Sequence, residues 1–221
     1  MRDPSVVDSN PTSQTLWLPS SVVALRSTNT CRVTTDDIHR DRPLAKLLLV
    51  YSTTDGHTRE ICEQLLQFIT ESGHEVTLSP IDGAREIDLQ LFDTIIIGAS
   101  IRYGKHNKEV YDFIADNTQV LTAKPNAFFS VNLVARKAEK RQPDTNPYLR
   151  KFLREISWKP RQVEVFAGKL DYPRYRFWDR QMIRLIMWMT KGPTDPSVVV
   201  DYTDWSQVEA FARRVSQIEA D

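Results

Sequence analysis

The chain has little of what stabilises small secreted or extended proteins. It contains 2 cysteines, 7 glycines and 12 prolines among 221 residues. Cys31 and Cys62 are too few for a disulfide framework or a four-cysteine metal site, and a reducing cytoplasm is the expected compartment. The low glycine content excludes a collagen-like chain, and the 41% hydrophobic content argues against intrinsic disorder. The length and composition therefore predict a globular protein with one large domain, or a domain with a substantial insertion.

Long apolar runs and glycine-rich phosphate motifs are also missing. The best membrane candidate, Met182–Met189, contains Arg184 and is far shorter than the roughly 20 residues that a spanning helix needs. Neither GxxxxGK(S/T) nor GxGxxG is present, which argues against a P-loop NTPase and a dinucleotide fingerprint. No metal site is expected, because no ligand spacing relates the four histidines, His39, His57, His74 and His106.

The net charge is zero, but the charges are segregated along the chain. Residues 136–191 hold 15 Lys or Arg and 6 Asp or Glu, a net charge of +9. Residues 46–135 and 192–221 together hold 9 basic and 18 acidic residues, a net charge of −9. A basic third of a chain predicts an anionic partner: nucleic acid, acidic lipid or a polycarboxylate ligand.

The patterned sequence begins near Leu44. Residues 1–45 are rich in Ser, Thr, Asp, Asn and Pro and are predicted to be a poorly ordered extension without a site. Residues 46–221 are predicted to form the folded domain. A continuous apolar strand at Lys46–Tyr51 is followed by a helix that ends at Gly73, with Cys62 packed beside its apolar stripe.

Strands and helices then alternate. Further strands are predicted at His74–Ser79, Asp93–Gly98, Asn126–Val131, Val163–Gly168 and Val198–Tyr202. Helices are predicted at Glu109–Asn117, around Tyr148–Ile156 and from Asp204 onward. Alternating strands and helices predict a doubly wound α/β fold with a parallel sheet. Residues 169–197 interrupt the pattern between two apparent halves of the last strand region.

A hydroxyl-rich loop follows the first strand and precedes a helix. It comprises Ser52, Thr53, Thr54, Asp55, Gly56, His57 and Thr58. Because ligands bind beyond the carboxyl ends of strands in such sheets, its hydroxyl and N–H groups suit a phosphate. The alternative is that Thr53–Asp55 only cap the helix.

Two more loops follow neighbouring strands. The second comprises Ala99, Ser100, Ile101, Arg102, Tyr103 and Gly104, and the third Asn132, Leu133, Val134, Ala135 and Arg136. With a phosphate in the first loop, they would flank a planar ligand, and phosphate plus plane suggests flavin mononucleotide (FMN). Alternatively, Tyr103 packs and the two arginines are solvated. His106 is predicted to be a solvated histidine at a helix start rather than a proton relay.

The segment Tyr172–Lys191 is the most distinctive. On a helical projection, Arg180, Arg184 and Lys191 form a basic stripe opposite a broad arc of Trp, Met, Leu and Ile. Such a helix lies at a membrane surface, or packs its apolar arc on the sheet and turns its arginines to an anionic ligand; an ordinary core-facing helix is the remaining alternative. Asp179 is predicted to pair with Arg176 or Arg180.

Several motifs resemble the menaquinone-dependent protoporphyrinogen IX dehydrogenase family, a flavodoxin-like group. The resemblance covers Lys46–Asp221 and rests on ASIRYG at Ala99–Gly104, SVNLVARK at Ser130–Lys137, YPRYR at Tyr172–Arg176, DRxMIxLIM at Asp179–Met187 and YTDW at Tyr202–Trp205. It implies a five-stranded parallel sheet in the order 2-1-3-4-5 with a long insertion at residues 169–197 that splits the last strand.

The resemblance also implies an FMN enzyme of haem biosynthesis, peripheral on the cytoplasmic face of the inner membrane, that passes six electrons from protoporphyrinogen IX to menaquinone or ubiquinone. It assigns FMN phosphate binding to residues 53–58 and flavin contacts to residues 100–104 and 132–136. Thr54 stands where this family is expected to have Arg, and Asp55 stands where flavodoxins usually have Thr. Because a carboxylate beside a phosphate is unfavourable, Asp55 is predicted to cap the helix.

The substrate's propionates and apolar macrocycle suit arginines interleaved with aromatic residues. The predicted substrate contacts are Arg174, Arg176, Arg180 and Arg184, which bind propionate or acidic lipid, while the Trp and Met arc meets the bilayer. The rival functions are a flavodoxin-type electron carrier and an NAD(P)H-dependent quinone reductase. A nucleic-acid partner has no supporting motif. No catalytic base is assigned, and the oligomeric state, including a homo-oligomer, stays open.

Overall fold

Five parallel strands form the central sheet of the computed structural model, which describes residues 44–190 and 192–217. They are β1 (Lys46–Ser52), β2 (Glu75–Pro80), β3 (Thr94–Arg102), β5 (Asn126–Asn132) and β6 (Gln162–Ala167), arranged as β2-β1-β3-β5-β6. Counting the parallel strands alone, this is the predicted order 2-1-3-4-5, so the flavodoxin-like fold is confirmed. A short strand, β4 (Lys105–His106), pairs antiparallel with the end of β3.

Helices cover both faces of the sheet. They are α1 (His57–Glu71), α2 (Ile81–Ala84), α3 (Lys108–Ala123), α4 (Pro147–Glu155) and α6 (Trp205–Val215). The buried cluster on one face includes residues of β1, α1 and α6, and the cluster on the other includes residues of α2, α3 and α4. Strands β1, β3 and β5 lie between the two layers, which is why their apolar residues run without alternation.

Several sequence predictions are confirmed at this level. Cys62 is fully buried among the apolar residues of α1, so it packs as predicted. The helix predicted at Glu109–Asn117 is longer and continues to Ala123, because the apolar stripe of α3 extends to Leu121, which is buried against the sheet. The last helix begins at Trp205, where the Asp204 carboxylate accepts a hydrogen bond from the backbone N–H of Gln207.

The prediction that an insertion splits the last strand is wrong. Strand β6 is complete before the insertion, and β7 (Lys169–Asp171) pairs antiparallel with β8 (Val199–Asp201) in a separate two-stranded sheet. The β-branched run at Val198–Tyr202 therefore closes the insertion instead of extending the main sheet. Within it lies α5 (Phe177–Met189), and we call residues 169–197 the insert. Because β7 and β8 pair with each other, the two ends of the insert lie side by side next to the end of β6, and the central sheet is not interrupted.

The predicted N-terminal extension, residues 1–45, lies outside the described residues except for Leu44 and Ala45. The same holds for Lys191, which was placed in the basic stripe. Across residues 44–190 and 192–217, none of the helices has the length and apolarity needed to cross a bilayer.

Candidate functional site

The three predicted loops line one cavity of about 440 Å³ at the carboxyl ends of β1, β3 and β5. The predicted residues that line it are Thr53, Asp55, His57, Thr58, Ser100, Ile101, Arg102, Tyr103, Gly104, Asn132, Leu133, Val134 and Arg136. This volume lies within the usual range for small-molecule sites. We call it the first cavity. Residues far apart in the sequence therefore meet as expected for an open parallel sheet.

The first loop leaves the start of α1 open. Gly56 precedes α1 in the left-handed region with φ of +91°, and no side chain caps the helix. Thr53 Oγ1 accepts a hydrogen bond from the Gly56 N–H at 3.0 Å, within the loop itself. The prediction that Asp55 caps the helix is wrong, because its carboxylate pairs with Arg102 Nη1 at 2.6 Å. The N–H groups of the first helical turn stay available to an anion.

Thr58 carries an unsatisfied polar atom in this cavity. Its side chain is fully buried, and Oγ1 has no hydrogen-bond partner within the described part of the chain. A buried hydroxyl without a partner is costly unless a ligand or water satisfies it. A phosphate at the start of α1 would accept from both Thr58 and the helix N–H groups, so the residues present fit a phosphate-bearing flavin.

His57 lies in the first loop but its ring is engaged by protein groups. Nδ1 lies 2.9 Å from Glu60 Oε2, and Nε2 lies 2.7 Å from Thr203 Oγ1. Thr203 also donates to the Ala167 carbonyl oxygen at 2.9 Å. The YTDW motif thus anchors the first loop to the end of β6, and only the backbone of His57 is left for a phosphate.

The second loop carries a charged network to the insert. Arg102 pairs with Asp55, and its Nη2 lies 2.5 Å from Asp179 Oδ2 at the start of α5. The Tyr103 hydroxyl also donates to Asp179. The Tyr103 hydrogen bond, together with Arg102, lowers the pKa of Asp179. The predicted pairing of Asp179 with Arg176 or Arg180 is therefore wrong, because the second loop supplies stronger partners.

Burial raises the pKa of the Asp55 carboxyl, and the neighbouring Arg102 offsets only part of that effect.

Tyr103 has a left-handed backbone with φ of +50° and a side chain that is 62% exposed. Strained backbone of this kind clusters at functional sites. Tyr103 therefore stands as an accessible aromatic surface at the rim of the cavity, as the ligand-flanking prediction requires.

The third loop is held by side-chain hydrogen bonds and is buried at its base. Asn132 Oδ1 accepts from the Ala135 N–H at 3.1 Å and from Asn146 Nδ2 at 3.2 Å. Ala135 is fully buried and is the one residue of this loop that does not line the first cavity. Arg136 donates to the Leu133 carbonyl at 3.0 Å and to Thr190 Oγ1 at 2.6 Å. Arg136 is thus a structural link to the insert.

His106 is buried beneath the second loop, so the prediction of a solvated histidine is wrong. Only 5% of it is exposed, and its ring packs edge-on against Phe128 and Phe152. Nδ1 lies 3.1 Å from the Ser100 carbonyl oxygen. Burial lowers the pKa of His106 to about 4. A neutral ring that donates from Nδ1 holds Ser100 in place, and strand β4 buries it.

Helix α5 covers the first cavity. Met182, Ile183, Ile186 and Met187 line it, and both ends of the helix are held by arginines of the second and third loops, through Arg102 to Asp179 and Arg136 to Thr190. Sequence reasoning did not assign these residues to the cavity, nor Lys169, which follows β6 directly. The position of Lys169 beyond the carboxyl end of a strand was the available signal.

The outer surface of α5 is apolar and exposed. The exposed residues that do not line the first cavity are Phe177, Trp178, Leu185, Trp188 and Met189. The alternative in which this arc packs on the sheet is therefore wrong, since Met187 is the helix's single buried residue. The predicted arginine stripe instead turns inward: Arg180 Nη2 donates to the Tyr175 carbonyl at 3.4 Å and Arg184 Nε to the Thr194 carbonyl at 2.9 Å.

A second cavity of about 510 Å³ adjoins the first, beside the outer side of the first loop. It is lined by Thr54, Asp55, Gly56, Arg102, Tyr103, Arg174, Arg176 and Asp179. Of the four predicted substrate arginines, it gathers Arg174 and Arg176 and leaves out Arg180 and Arg184. Within residues 44–190 and 192–217, no cluster of three or more His, Cys, Asp or Glu side chains has the arrangement of a metal site.

Comparisons with known proteins match most of the chain to one family. The flavodoxin domain family model matches residues 48–197. The chain is 46% identical over 173 residues to protoporphyrinogen IX dehydrogenase (quinone) of Escherichia coli strain K12, covering 78% of this chain and 96% of that protein. It is 44% identical over 168 residues to the protein of that name from Leishmania major, covering 76% of this chain and 73% of that one.

Among solved structures, oxidised flavodoxin 1 from Bacillus cereus aligns with 77% of this chain and 97% of its own, at 17% identity and a TM-score of 0.45.

Proposed function

Since the chain belongs to the quinone-dependent protoporphyrinogen IX dehydrogenase family, which is built on a flavodoxin domain, we propose that it oxidises protoporphyrinogen IX to protoporphyrin IX with FMN and a respiratory quinone. The identity to its relatives over most of the chain carries the assignment of the reaction. The cavity formed by the three loops, with the unsatisfied Thr58 hydroxyl inside it, supports FMN as the flavin.

When bound, FMN accepts electrons from the porphyrinogen two at a time and passes them to the quinone, so the six-electron oxidation takes three cycles. The protein binds and orients the reactants. Thr53, Thr58 and the first turn of α1 would hold the phosphate, with Lys169 beside them. The second and third loops would hold the ring system. Helix α5 covers this site with Met182, Ile183 and Ile186, and so excludes water from it.

The charged network keeps the carboxylates of the site away from the phosphate. Arg102 binds both Asp55 and Asp179, so the Asp55 carboxylate is paired on the side of the second loop. This explains how a loop with Asp in place of the usual Thr still suits an anionic cofactor. Arg174 lies against the other side of this loop, outside the first cavity: its guanidinium Nη2 is 3.1 Å from the position that a Cβ on Gly56 would occupy.

The assay is anaerobic reduction of the FMN-loaded full chain, followed by reoxidation. Protoporphyrinogen IX should bleach the flavin absorption, NADPH should not, and menaquinone or ubiquinone should restore it with the appearance of porphyrin fluorescence. Bleaching by NADPH instead would indicate a quinone reductase. A flavin that neither donor reduces would indicate an electron carrier.

The cofactor assignment is tested by Thr58→Val, which removes the unsatisfied hydroxyl and keeps the shape. We expect FMN affinity to fall about tenfold, the effect of one hydrogen bond to a charged group. The affinity for riboflavin, which lacks the phosphate, should not change. Thr122→Val is the matched control, because its hydroxyl bonds the Thr118 carbonyl on α3 away from both cavities. Equal losses in the two variants would contradict the phosphate assignment.

We further propose that the protein binds peripherally to the cytoplasmic face of the inner membrane through the outer surface of α5. The support is the exposed arc with Trp178 at one end and Trp188 at the other, 80% and 71% exposed. Tryptophans suit the boundary between headgroups and acyl chains, and the basic segment suits anionic lipid. Wild-type protein should sediment with vesicles containing anionic lipid, and the double variant Trp178→Ala, Trp188→Ala should stay in the supernatant. Unchanged sedimentation would exclude this surface as the membrane contact.

A further inference from the structure

The second cavity has unpaired positive charge. Among its three arginines, Arg102 is bound by the two carboxylates of the cavity, Asp55 and Asp179. Arg174 and Arg176 donate no hydrogen bond and form no ion pair to any residue that the structure describes. Three guanidinium groups against two carboxylates leave a net charge of +1. Both guanidinium groups attract nearby carboxylates only at longer range, Arg174 acting on Asp55 and Glu60 and Arg176 on Asp179. Each can therefore receive an anion without breaking a hydrogen bond or a close ion pair.

Arg180 and Arg184 are not equivalent to this pair, although all four lie within one short segment. Their guanidinium groups bind the carbonyl oxygens of Tyr175 and Thr194, and neither residue lines either cavity. They stabilise the turns at the two sides of α5. The segment thus divides into two structural arginines and two arginines that face a ligand site.

The neighbourhood of the cavity indicates the shape of the ligand. Asp55, Arg102 and Tyr103 line both cavities, so the second cavity adjoins the first. On the side of the first cavity the wall is apolar, with Ile101 and Met182. An anionic group held by Arg174 or Arg176 is therefore next to an aromatic and apolar surface. This arrangement fits an amphipathic molecule with carboxylates at one edge of a large apolar body.

We propose that the second cavity is a carboxylate subsite in which Arg174 and Arg176 bind the propionates of the porphyrinogen. This assignment rests on the proposed function, and it reduces the four arginines predicted from the sequence to two. Arginine suits the role because its planar fork binds a carboxylate through paired hydrogen bonds. Binding at the propionate edge orients the macrocycle without contacting the carbons that are oxidised.

The test uses Arg174→Gln and Arg176→Gln in the FMN-loaded full chain. Both side chains are exposed, so the fold should persist, as an unfolding curve checks. Each variant should raise the KM for protoporphyrinogen IX about tenfold and leave kcat and FMN affinity unchanged. Arg154→Gln is the matched control, since Arg154 is an exposed residue of the same basic segment on α4. Its kinetics should equal those of the wild type.

The dimethyl ester of the substrate, in which the propionates carry no charge, tests whether the rise in KM comes from lost propionate binding. Wild type should show a raised KM for the ester, and the two variants should raise it no further. An ester KM that still rises in the variants would overturn the proposal. So would a loss of FMN affinity at unchanged KM, which would assign the arginines to the cofactor phosphate, or a loss of vesicle binding alone, which would assign them to lipid headgroups.

Direct binding keeps the proposal separate from the enzymatic assignment. Protoporphyrin IX carries the same propionates, and its binding is measured by quenching of tryptophan fluorescence without turnover. Weaker binding in the two variants and unchanged binding in Arg154→Gln would support the subsite even if the wild type oxidised no porphyrinogen. Equal binding in all proteins would overturn the subsite even if the wild type were active.

Discussion

The central sheet and the insert use apolar residues in opposite ways. In β5, Phe128 and Phe129 are completely buried between two helical layers. In α5, only Met187 is buried, and Arg102–Asp179 and Arg136–Thr190 link the two ends of this helix to the loops beyond the sheet. The sheet residues thus stabilise the fold, whereas the exposed residues of α5 are available to something outside the chain. Similar hydrophobicity in the sequence therefore serves two different purposes.

The largest loss of folding stability is expected for a substitution in the central sheet. Phe128 stacks on Phe152 at a centroid distance of 4.6 Å and also contacts the rings of His106 and Trp158. Phe128→Ala should lower the free energy of unfolding by about 4 kcal/mol, because it removes buried apolar surface and leaves a cavity. Urea denaturation followed by circular dichroism measures the change. A loss below about 1 kcal/mol would show that the layer does not depend on this ring.

The second-largest effect on stability is expected from the protonation of His106, a buried polar residue of the same layer. Burial lowers the pKa of His106 to about 4 in the folded protein, from an ordinary value of about 6.5 in the unfolded chain. Between these values the unfolded chain binds a proton that the folded chain does not, so stability falls as the pH drops from 6.5 towards 4. The loss from this group should reach about 3 kcal/mol at pH 4.

The variant His106→Gln keeps an amide that can donate to the Ser100 carbonyl and does not titrate. The free energy of unfolding, measured by urea denaturation at several pH values, should therefore depend less steeply on pH between 6.5 and 4 than in the wild type. Parallel curves for the two proteins would mean that His106 is not the group responsible.

The smallest effect on stability is expected in the insert. Trp178→Ala, Trp188→Ala removes two large rings, yet both are mostly exposed. The free energy of unfolding should change by less than about 0.5 kcal/mol, while vesicle sedimentation should be lost. A stability loss comparable to that of Phe128→Ala would erase the contrast between sheet and insert and place these rings in a packed interface.

The strands and the loops beyond them could be predicted because their signals are local. The run KLLLVY needs no knowledge of other segments to indicate a strand buried on both faces, and the hydroxyl-rich loop follows it directly. The same holds for the second and third loops, since the carboxyl ends of parallel strands share one edge. For that reason all but one of the predicted flavin-loop residues line a cavity in the structure.

The insert could not be predicted in the same way. A helical projection placed Arg180 and Arg184 on a basic stripe that was expected to bind propionate or acidic lipid, but it contains no information about the carbonyl groups of Tyr175 and Thr194 that bind them. Nor does it show that Asp179 meets Arg102, 77 residues earlier in the chain. His106 shows the same limit, because the short strand β4 buries a residue that stands among polar neighbours in the sequence.

The sequence by itself determined the order of strands and helices, the three ligand loops and the family, because each depends on residues that are neighbours along the chain. The tertiary structure alone decided which arginines line a cavity and which bind backbone, and that α5 covers the first cavity with one side while exposing the other. Those outcomes depend on which unsatisfied carbonyl or carboxylate lies within hydrogen-bond reach, and only the folded backbone fixes that distance.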